Sequence, residues 1–193
     1  NAITYNNTQW GVGVSHEAAG KGPLCSEGWL HCYDIAEIAV LMNPHHADFP
    51  SPRLWEAEAN GKTLDDRGLK RGVQKLTTLR EITMPVISST QRVAFGILCA
   101  LEVYKETRFV EWANRWLDGT DRSITSAVDS KAIAVSNAAA YAAYAAYAAY
   151  ASTNAAYASA SAAAASTNAA AAAAYAADTR LPWAEIIEKA MKY

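Results

Sequence analysis

Residues 90–104 read TQRVAFGILCALEVY, and this apolar segment decides how the second half of the chain is interpreted. Its large side chains fall on nearly every side of a helical projection rather than on one stripe. A helix that is hydrophobic all round is normally buried at the centre of a fold. The segment therefore predicts a buried central helix, with apolar members Val93, Phe95, Ile97, Leu98, Cys99, Leu101 and Val103.

Alanine dominates the chain beyond this helix, with 26 alanines among the 40 residues from Ala138 to Ala177. Because alanine has the highest helix propensity, residues 126–177 should be helical over most of their length. A single helix there would be roughly 75 Å long at about 1.5 Å per residue, which is implausible in a compact chain. Ser, Thr and Asn favour helix ends over interiors. We therefore predict at least one turn at the repeated triplets, Ser152-Thr153-Asn154 and Ser166-Thr167-Asn168.

Tyrosines interrupt the alanines at intervals of three residues, which spreads them half-way round a helix instead of along one stripe. Such tyrosines can fill space between helices, since large aromatic side chains dominate burial. Alternatively, they form a surface for a partner protein or a second copy of the chain. The candidates for that surface are Tyr141, Tyr144, Tyr147 and Tyr150.

Two shorter helices are predicted on either side of the alanine segment. Residues 109–117 carry tryptophans at helical spacing and end at Asp118-Gly119. Near the other end, Pro182 occupies a position suited to a first helical turn, and a regular apolar stripe follows it. That stripe consists of Trp183, Ile186, Ile187, Ala190 and Met191.

The first 85 residues mix short strands with one helix. Asp34 and Glu37 form a potential capping box that opens a helix, and Asn43-Pro44 should end it. Residues 53–59 alternate as a half-buried strand that ends at an Asn60-Gly61 turn. A basic loop follows, and residues 76–84 form a second strand.

These elements predict an α+β fold in which a small N-terminal mixed α/β sheet part, residues 1–88, packs on a C-terminal helical bundle, residues 89–193. The second part holds the alanine- and tyrosine-rich helices within residues 132–177 and the C-terminal amphipathic helix.

Composition excludes several classes of protein. A net charge of −2 gives no argument for binding a nucleic acid polymer. Three cysteines are too few for a disulfide-stabilised secreted scaffold and fit a reducing cytoplasm. The uncharged run of residues 132–177 has no Leu, Ile, Val or Phe after Val135, so we expect no membrane span. No signal peptide is expected either.

A cluster in residues 25–32 could carry chemistry. Cys25, His31 and Cys32 could bind zinc with a further histidine (His16, His45 or His46), but their spacing matches no standard zinc pattern. Cys25 and His31 could be a nucleophile and its base, but no third orienting group is identifiable. We favour a structural turn, and expect no metal, no cofactor and no catalytic residues.

Glu56 and Glu58 lie on one face of the predicted strand, about 7 Å apart given the rise of a strand. Paired carboxylates can perform acid–base chemistry. On a strand with one solvated face, however, two glutamates are more often simply the exposed side, and we interpret them so.

A basic run is more suggestive, because no acidic residue occurs between Arg67 and Arg80. Arginines beside aromatic side chains suit a ligand that carries phosphate, such as a nucleotide, and a solvated loop is the alternative. The candidate ligand-binding residues are Trp29, His31, Arg53, Trp55, Lys75 and Arg80.

Three motifs together resemble an uncharacterised domain of phage and bacterial proteins: Cys25-x-x-Gly28-Trp29-x-His31-Cys32, Arg53-Leu54-Trp55-Glu56-Ala57-Glu58 and Leu79-Arg80-Glu81-Ile82. The second half of the chain, from residue 95 into the alanine–tyrosine repeats, is similar to alanine-rich phage proteins, some of which are designated immunity proteins. The resemblance covers most of the chain and implies neither an established activity nor a catalytic set.

We therefore expect a non-enzymatic phage or prophage protein, in the cytoplasm of the host bacterium, that binds a small phosphorylated ligand and sequesters a host defence signal. One alternative is an immunity or inhibitor module that binds a host or phage protein. Another is a structural protein that assembles as a homo-oligomer.

Overall fold

A computed structural model describes residues 2–47, 49–136, 144–148, 160–177 and 180–193. It contains a four-stranded antiparallel sheet followed by helices, so the predicted α+β fold is confirmed. The chain divides into two compact units. The first comprises Asn1–Val40 and Phe49–Val86, and the second comprises Leu41–Asp48 and Ile87–Tyr193. The segment Leu41–Asp48 thus belongs to the helical unit although it lies among the first 88 residues.

The first unit is built on a long hairpin. Strand β6 pairs along its whole length with β5, while β3 and β4 pair with successive segments of β6. Two very short strands, β1 and β2, pair separately. The strands are β1 (Ala2–Ile3), β2 (Gln9–Trp10), β3 (Ser15–Glu17), β4 (Leu30–Cys32), β5 (Leu54–Asp65) and β6 (Arg71–Ile82).

The hairpin turns later than the sequence predicts. Strand β5 continues through Asn60-Gly61, where Gly61 has a φ of 80° within an irregularity of the pairing register. The turn lies instead at Arg67-Gly68, with φ values of 50° and 78°. Two successive left-handed residues are what a two-residue hairpin turn of matching twist requires. The predicted turn is therefore wrong, and most of the predicted basic loop is strand.

The predicted end of the first helix is also wrong. Helix α1 spans Ala36–His46 and runs through Pro44. A proline removes one backbone donor, and the next turn still closes where the Ala47 amide donates to the Asn43 carbonyl at 3.0 Å. Ahead of the helix, the Asp34 carboxylate accepts a hydrogen bond from Arg71 at 2.9 Å.

The second unit contains the predicted central helix. Helix α2 opens with a capping box between Ser88 and Gln91, and the side chains of Val93, Phe95 and Ile97 are fully buried. It packs against α3, α5 and α6, which confirms the prediction of a buried central helix. The helices of this unit are α2 (Ser89–Val103), α3 (Thr107–Leu117), α4 (Ile124–Ser136), α5 (Ala160–Ala176) and α6 (Trp183–Ala190), with further helical residues at 144–148.

Helix α5 contains one of the two triplets at which the sequence predicts at least one turn. Ser166 Oγ donates to the Ala162 carbonyl at 2.8 Å, and Thr167 Oγ1 donates to the Leu41 carbonyl at 2.8 Å. These bonds satisfy the hydroxyls inside the helix, so the chain does not turn at Ser166-Thr167-Asn168. The other triplet, Ser152-Thr153-Asn154, lies outside the described residues. Close packing accompanies the bonds, since a Cβ added at Gly96 would lie 3.1 Å from the Cα of Ser166.

Replacing Thr167 by valine should lower the free energy of unfolding by about 1–2 kcal/mol, because a buried hydrogen bond is lost without a change of shape. Thr125→Val is the matched control, since Thr125 lies exposed on α4 and its replacement should change stability by less than about 0.5 kcal/mol. Urea denaturation followed by circular dichroism measures both. Equal stability of the two variants would contradict a stabilising bond to Leu41.

Candidate functional site

The arginines of the predicted site are engaged with carboxylates. Arg53 Nε donates to Glu81 Oε1 at 2.8 Å, Arg53 NH2 contacts the second oxygen, and the guanidinium lies 4.9 Å from the centroid of the Trp55 ring. The hydrogen bond from Arg53 holds the pKa of the Glu81 carboxyl below its usual range. Arg80 Nε donates to Glu56 Oε2 at 2.6 Å. This end of the hairpin thus pairs its positive charges internally.

The other candidates lie further along β6. His31 is opposite Gly72, and its Nε2 donates to the Leu24 carbonyl at 2.6 Å. Trp29 is buried, with its indole nitrogen donating to the Gly22 carbonyl at 3.0 Å. Gly72 and Arg80 are eight residues apart, which is roughly 26 Å along a strand. Lys75 is exposed between them.

The structure therefore places Arg53, Trp55 and Arg80 at one end of the hairpin, and leaves Trp29, His31 and Lys75 away from that end. Other cations of the basic run are also paired, since Arg71 contacts Asp34 and Lys70 contacts the sulfur of Cys25. The glutamates proposed as an exposed face, Glu56 and Glu58, are indeed exposed.

Metal ligands do not converge within the described part of the chain: no three His, Cys, Asp or Glu side chains there could hold an ion. His16 Nε2 donates to the Gln9 carbonyl at 2.7 Å, and its ring meets the Trp10 ring edge-on. The side chain of His45 lies outside the described residues.

A site that the sequence did not single out lies between α3 and α4. A cavity of about 480 Å³ opens there. Two of its lining residues, Trp112 and Ser130, are only 2% and 1% exposed. Within the described part of the chain, three buried side-chain polar atoms have no hydrogen-bond partner: Trp112 Nε1, Ser130 Oγ and, away from this cavity, Trp116 Nε1. The remaining lining residues are polar: Arg108, Glu111, Arg115, Asp121, Ser123, Thr125, Ser126 and Asp129.

Some of the charged side chains around this cavity are bonded to other residues of the protein, and others are not. Asp121 Oδ1 accepts from the backbone amide of Ser123 at 2.9 Å, and this bond holds the pKa of Asp121 below its usual range. Arg108 makes a long contact of 3.4 Å with Glu106. The guanidinium of Arg115 makes no hydrogen bond or ion pair with any described residue, and Glu111 and Asp129 are exposed.

The sequence does contain a pattern that could have pointed to the residues lining this cavity. Arg108, Glu111, Trp112 and Arg115 follow the spacing i, i+3, i+4, i+7, which places them on one face of a helix. A tryptophan among charged residues on one face is unusual for an amphipathic helix. It could have drawn attention to α3.

Of the tyrosines proposed as a partner surface, Tyr144 is exposed and Tyr147 is half-buried with the Lys131 ammonium 4.9 Å from its ring centroid. Tyr141 and Tyr150 lie outside the described residues. None of the described helices combines the length and apolar composition that crossing a bilayer requires.

No protein-family model, no curated protein and no solved structure matches the chain. The resemblance to phage and bacterial proteins thus stays an expectation that rests on the motifs.

Proposed function

We propose that the chain is a non-enzymatic phage or prophage protein that binds a small phosphorylated ligand of nucleotide type in the cavity between α3 and α4, and so sequesters a host signal. The observation that carries the proposal is that, of the three buried polar atoms without a partner among the described residues, Trp112 Nε1 and Ser130 Oγ belong to residues that line one cavity, while the third is Trp116 Nε1. The positive charges along the hairpin do not support the proposal, because Arg53 and Arg80 form ion pairs with Glu81 and Glu56.

Buried polar atoms without a partner are rare in folded proteins, and each costs about 1–3 kcal/mol. The indole nitrogen of Trp112 can only donate, so its natural complement is an oxygen acceptor. Ser130 Oγ can donate or accept. A ligand whose acceptor oxygens reach these two atoms would supply the hydrogen bonds that the described residues do not.

The charges at the cavity indicate which ligand fits. Arg115, and Arg108 two turns before it on α3, offer guanidinium groups whose planar donors match phosphoryl oxygens. Glu111 and Asp129 offer carboxylates, which can accept hydrogen bonds from the hydroxyls of a ribose. Because both signs of charge are present, a ligand that combines phosphate with sugar hydroxyls fits better than inorganic phosphate alone.

Calorimetric titration with nucleotides, cyclic nucleotides and sugar phosphates tests the proposal on the full chain. At least one ligand should bind, and Arg115→Gln should weaken binding roughly 10- to 100-fold, as expected for a lost charged hydrogen bond. Arg53→Gln is the matched control and should leave affinity unchanged, because Arg53 lies on the hairpin.

Nitrogen-15 NMR gives an independent readout. The indole N–H signal that disappears in Trp112→Phe should shift when the ligand is added. Absence of heat with every phosphorylated ligand at millimolar concentration would refute the proposal. So would equal weakening by Arg115→Gln and Arg53→Gln.

A further inference from the structure

In the first unit, the side chain of the buried Lys70 contacts the sulfur of Cys25. Neither residue has a part in the proposed ligand site. Lys70 directly precedes β6 and its side chain is only 5% exposed. Its Nζ lies 3.3 Å from the Sγ of Cys25, which belongs to the loop before β4 and is exposed. An oxidant from solvent can therefore reach the sulfur, while the amine sits on its protein side.

The burial of Lys70 is unusual, because lysine is almost never fully buried unless it is paired. Among the described residues, the sulfur of Cys25 is the one hydrogen-bond acceptor that Nζ reaches. A thiol is a weak acceptor. The lysine is thus directed at the sulfur without a carboxylate to hold it elsewhere.

The loop that carries Cys25 is fixed by hydrogen bonds on both sides of the sulfur. Ser26 Oγ donates to the Pro23 carbonyl at 2.7 Å. The side chains of Trp29 and His31 donate to the carbonyls of Gly22 and Leu24. The approach of Sγ to Nζ is therefore built into the loop.

The other two cysteines are less suited to oxidation. Cys99 is fully buried in α2, and burial raises the pKa of its thiol well above the usual value. Cys32 is half-buried, and burial raises its pKa also. Because the thiolate is the form that reacts, both should react slowly. Cys25 is the exposed thiol of the three.

We propose that hydrogen peroxide drives a reversible covalent cross-link between Cys25 Sγ and Lys70 Nζ. In the first step the sulfur attacks one peroxide oxygen, the O–O bond breaks, and a sulfenic acid and water form. In the second step the Lys70 ammonium first gives one proton to solvent, and the resulting amine attacks the sulfur. The S–O bond breaks, and the departing hydroxide leaves as water with a second proton from the nitrogen. The product is a sulfenamide, Cys–S–NH–Lys.

Reduction closes the cycle. A dithiol such as dithiothreitol breaks the S–N bond, returns the thiol and the amine, and is itself oxidised to a disulfide. The link would join the loop before β4 to the turn of the β5–β6 hairpin. The cross-link would thus form with peroxide without the need for a second cysteine.

Mass spectrometry of the peroxide-treated full chain tests the cross-link. The intact protein should lose two hydrogens, about 2 Da, and trypsin should no longer cleave after Lys70. Peptide mapping should find the peptide of Cys25 joined to that of Lys70, and dithiothreitol should restore both. A disulfide between Cys25 and Cys32, which has the same mass change, would overturn the proposal.

Variants separate the two steps. Lys70→Met and Lys70→Arg should both stop at the sulfenic acid, which dimedone traps at Cys25, while the wild-type chain should yield little of that adduct. Cys32→Ser is the matched control and should cross-link as the wild-type chain does. Equal dimedone labelling of the wild-type chain and either Lys70 variant would overturn the proposal.

Discussion

Gly28→Ala should destabilise the first unit by about 3 kcal/mol or more, as expected when a new atom meets backbone that cannot move aside. A Cβ at Gly28 would lie 1.9 Å from the carbonyl oxygen of Lys21. The Gly28 carbonyl also accepts from the amide of Gly20 at 2.9 Å, which ties the two chain segments together. To accommodate one methyl group, the segment at Gly28 would have to move away from the Lys21 carbonyl.

Gly11→Ala is the matched control in the same unit. A Cβ at Gly11 would meet only Val14 Cγ2, at an ordinary 3.5 Å, so its effect should stay within about 0.5 kcal/mol. Urea denaturation curves provide both values. A Gly28→Ala chain as stable as the Gly11→Ala chain would show that the two segments do not approach so closely.

Phe95→Ala should lower the free energy of unfolding by about 3–5 kcal/mol, the usual cost of emptying a buried phenylalanine site. Phe95 is fully buried in α2, and its ring centroid lies 6.4 Å from that of Trp183 on α6. The cavity would lie beside α2. Because α2 is packed closely against other helices, the surrounding side chains have little freedom to fill it.

Phe95→Leu keeps most of the volume and should cost less than half as much as Phe95→Ala. Thermal and urea denaturation compare the two variants, with near-ultraviolet circular dichroism reporting on tryptophan packing. A loss below about 1 kcal/mol in Phe95→Ala would contradict a central position for α2.

The spacing of apolar residues predicted the helices whose burial depends on their own sequence. The apolar residues around α2 and the stripe of α6 identify buried helical faces without reference to any partner. Prediction from local sequence failed where a contact with a residue distant in sequence determines the secondary structure. Thr167 remains helical because Leu41 supplies an acceptor, and Asn60-Gly61 remains strand because β6 pairs beyond it. Both glycine-containing dipeptides of the hairpin permit a turn, and only the pairing selects between them.

The candidate site was less predictable for the same reason. Arg80 and Arg53 form ion pairs with Glu56 and Glu81, which are 24 and 28 residues away in sequence. The sequence therefore contains no indication that these two arginines are paired. The cavity at Trp112 and Ser130 depends on how two helices meet, which spacing within one helix indicates only in part.

The hydrogen bond between Thr167 and Leu41 also has a consequence during synthesis. Its two residues are 126 positions apart, so a ribosome that adds about 5–20 residues per second makes Thr167 roughly 6–25 s after Leu41. Leu41 and Met42 are buried in the finished structure. During synthesis their side chains therefore stay without their helical partners until most of the chain has been made.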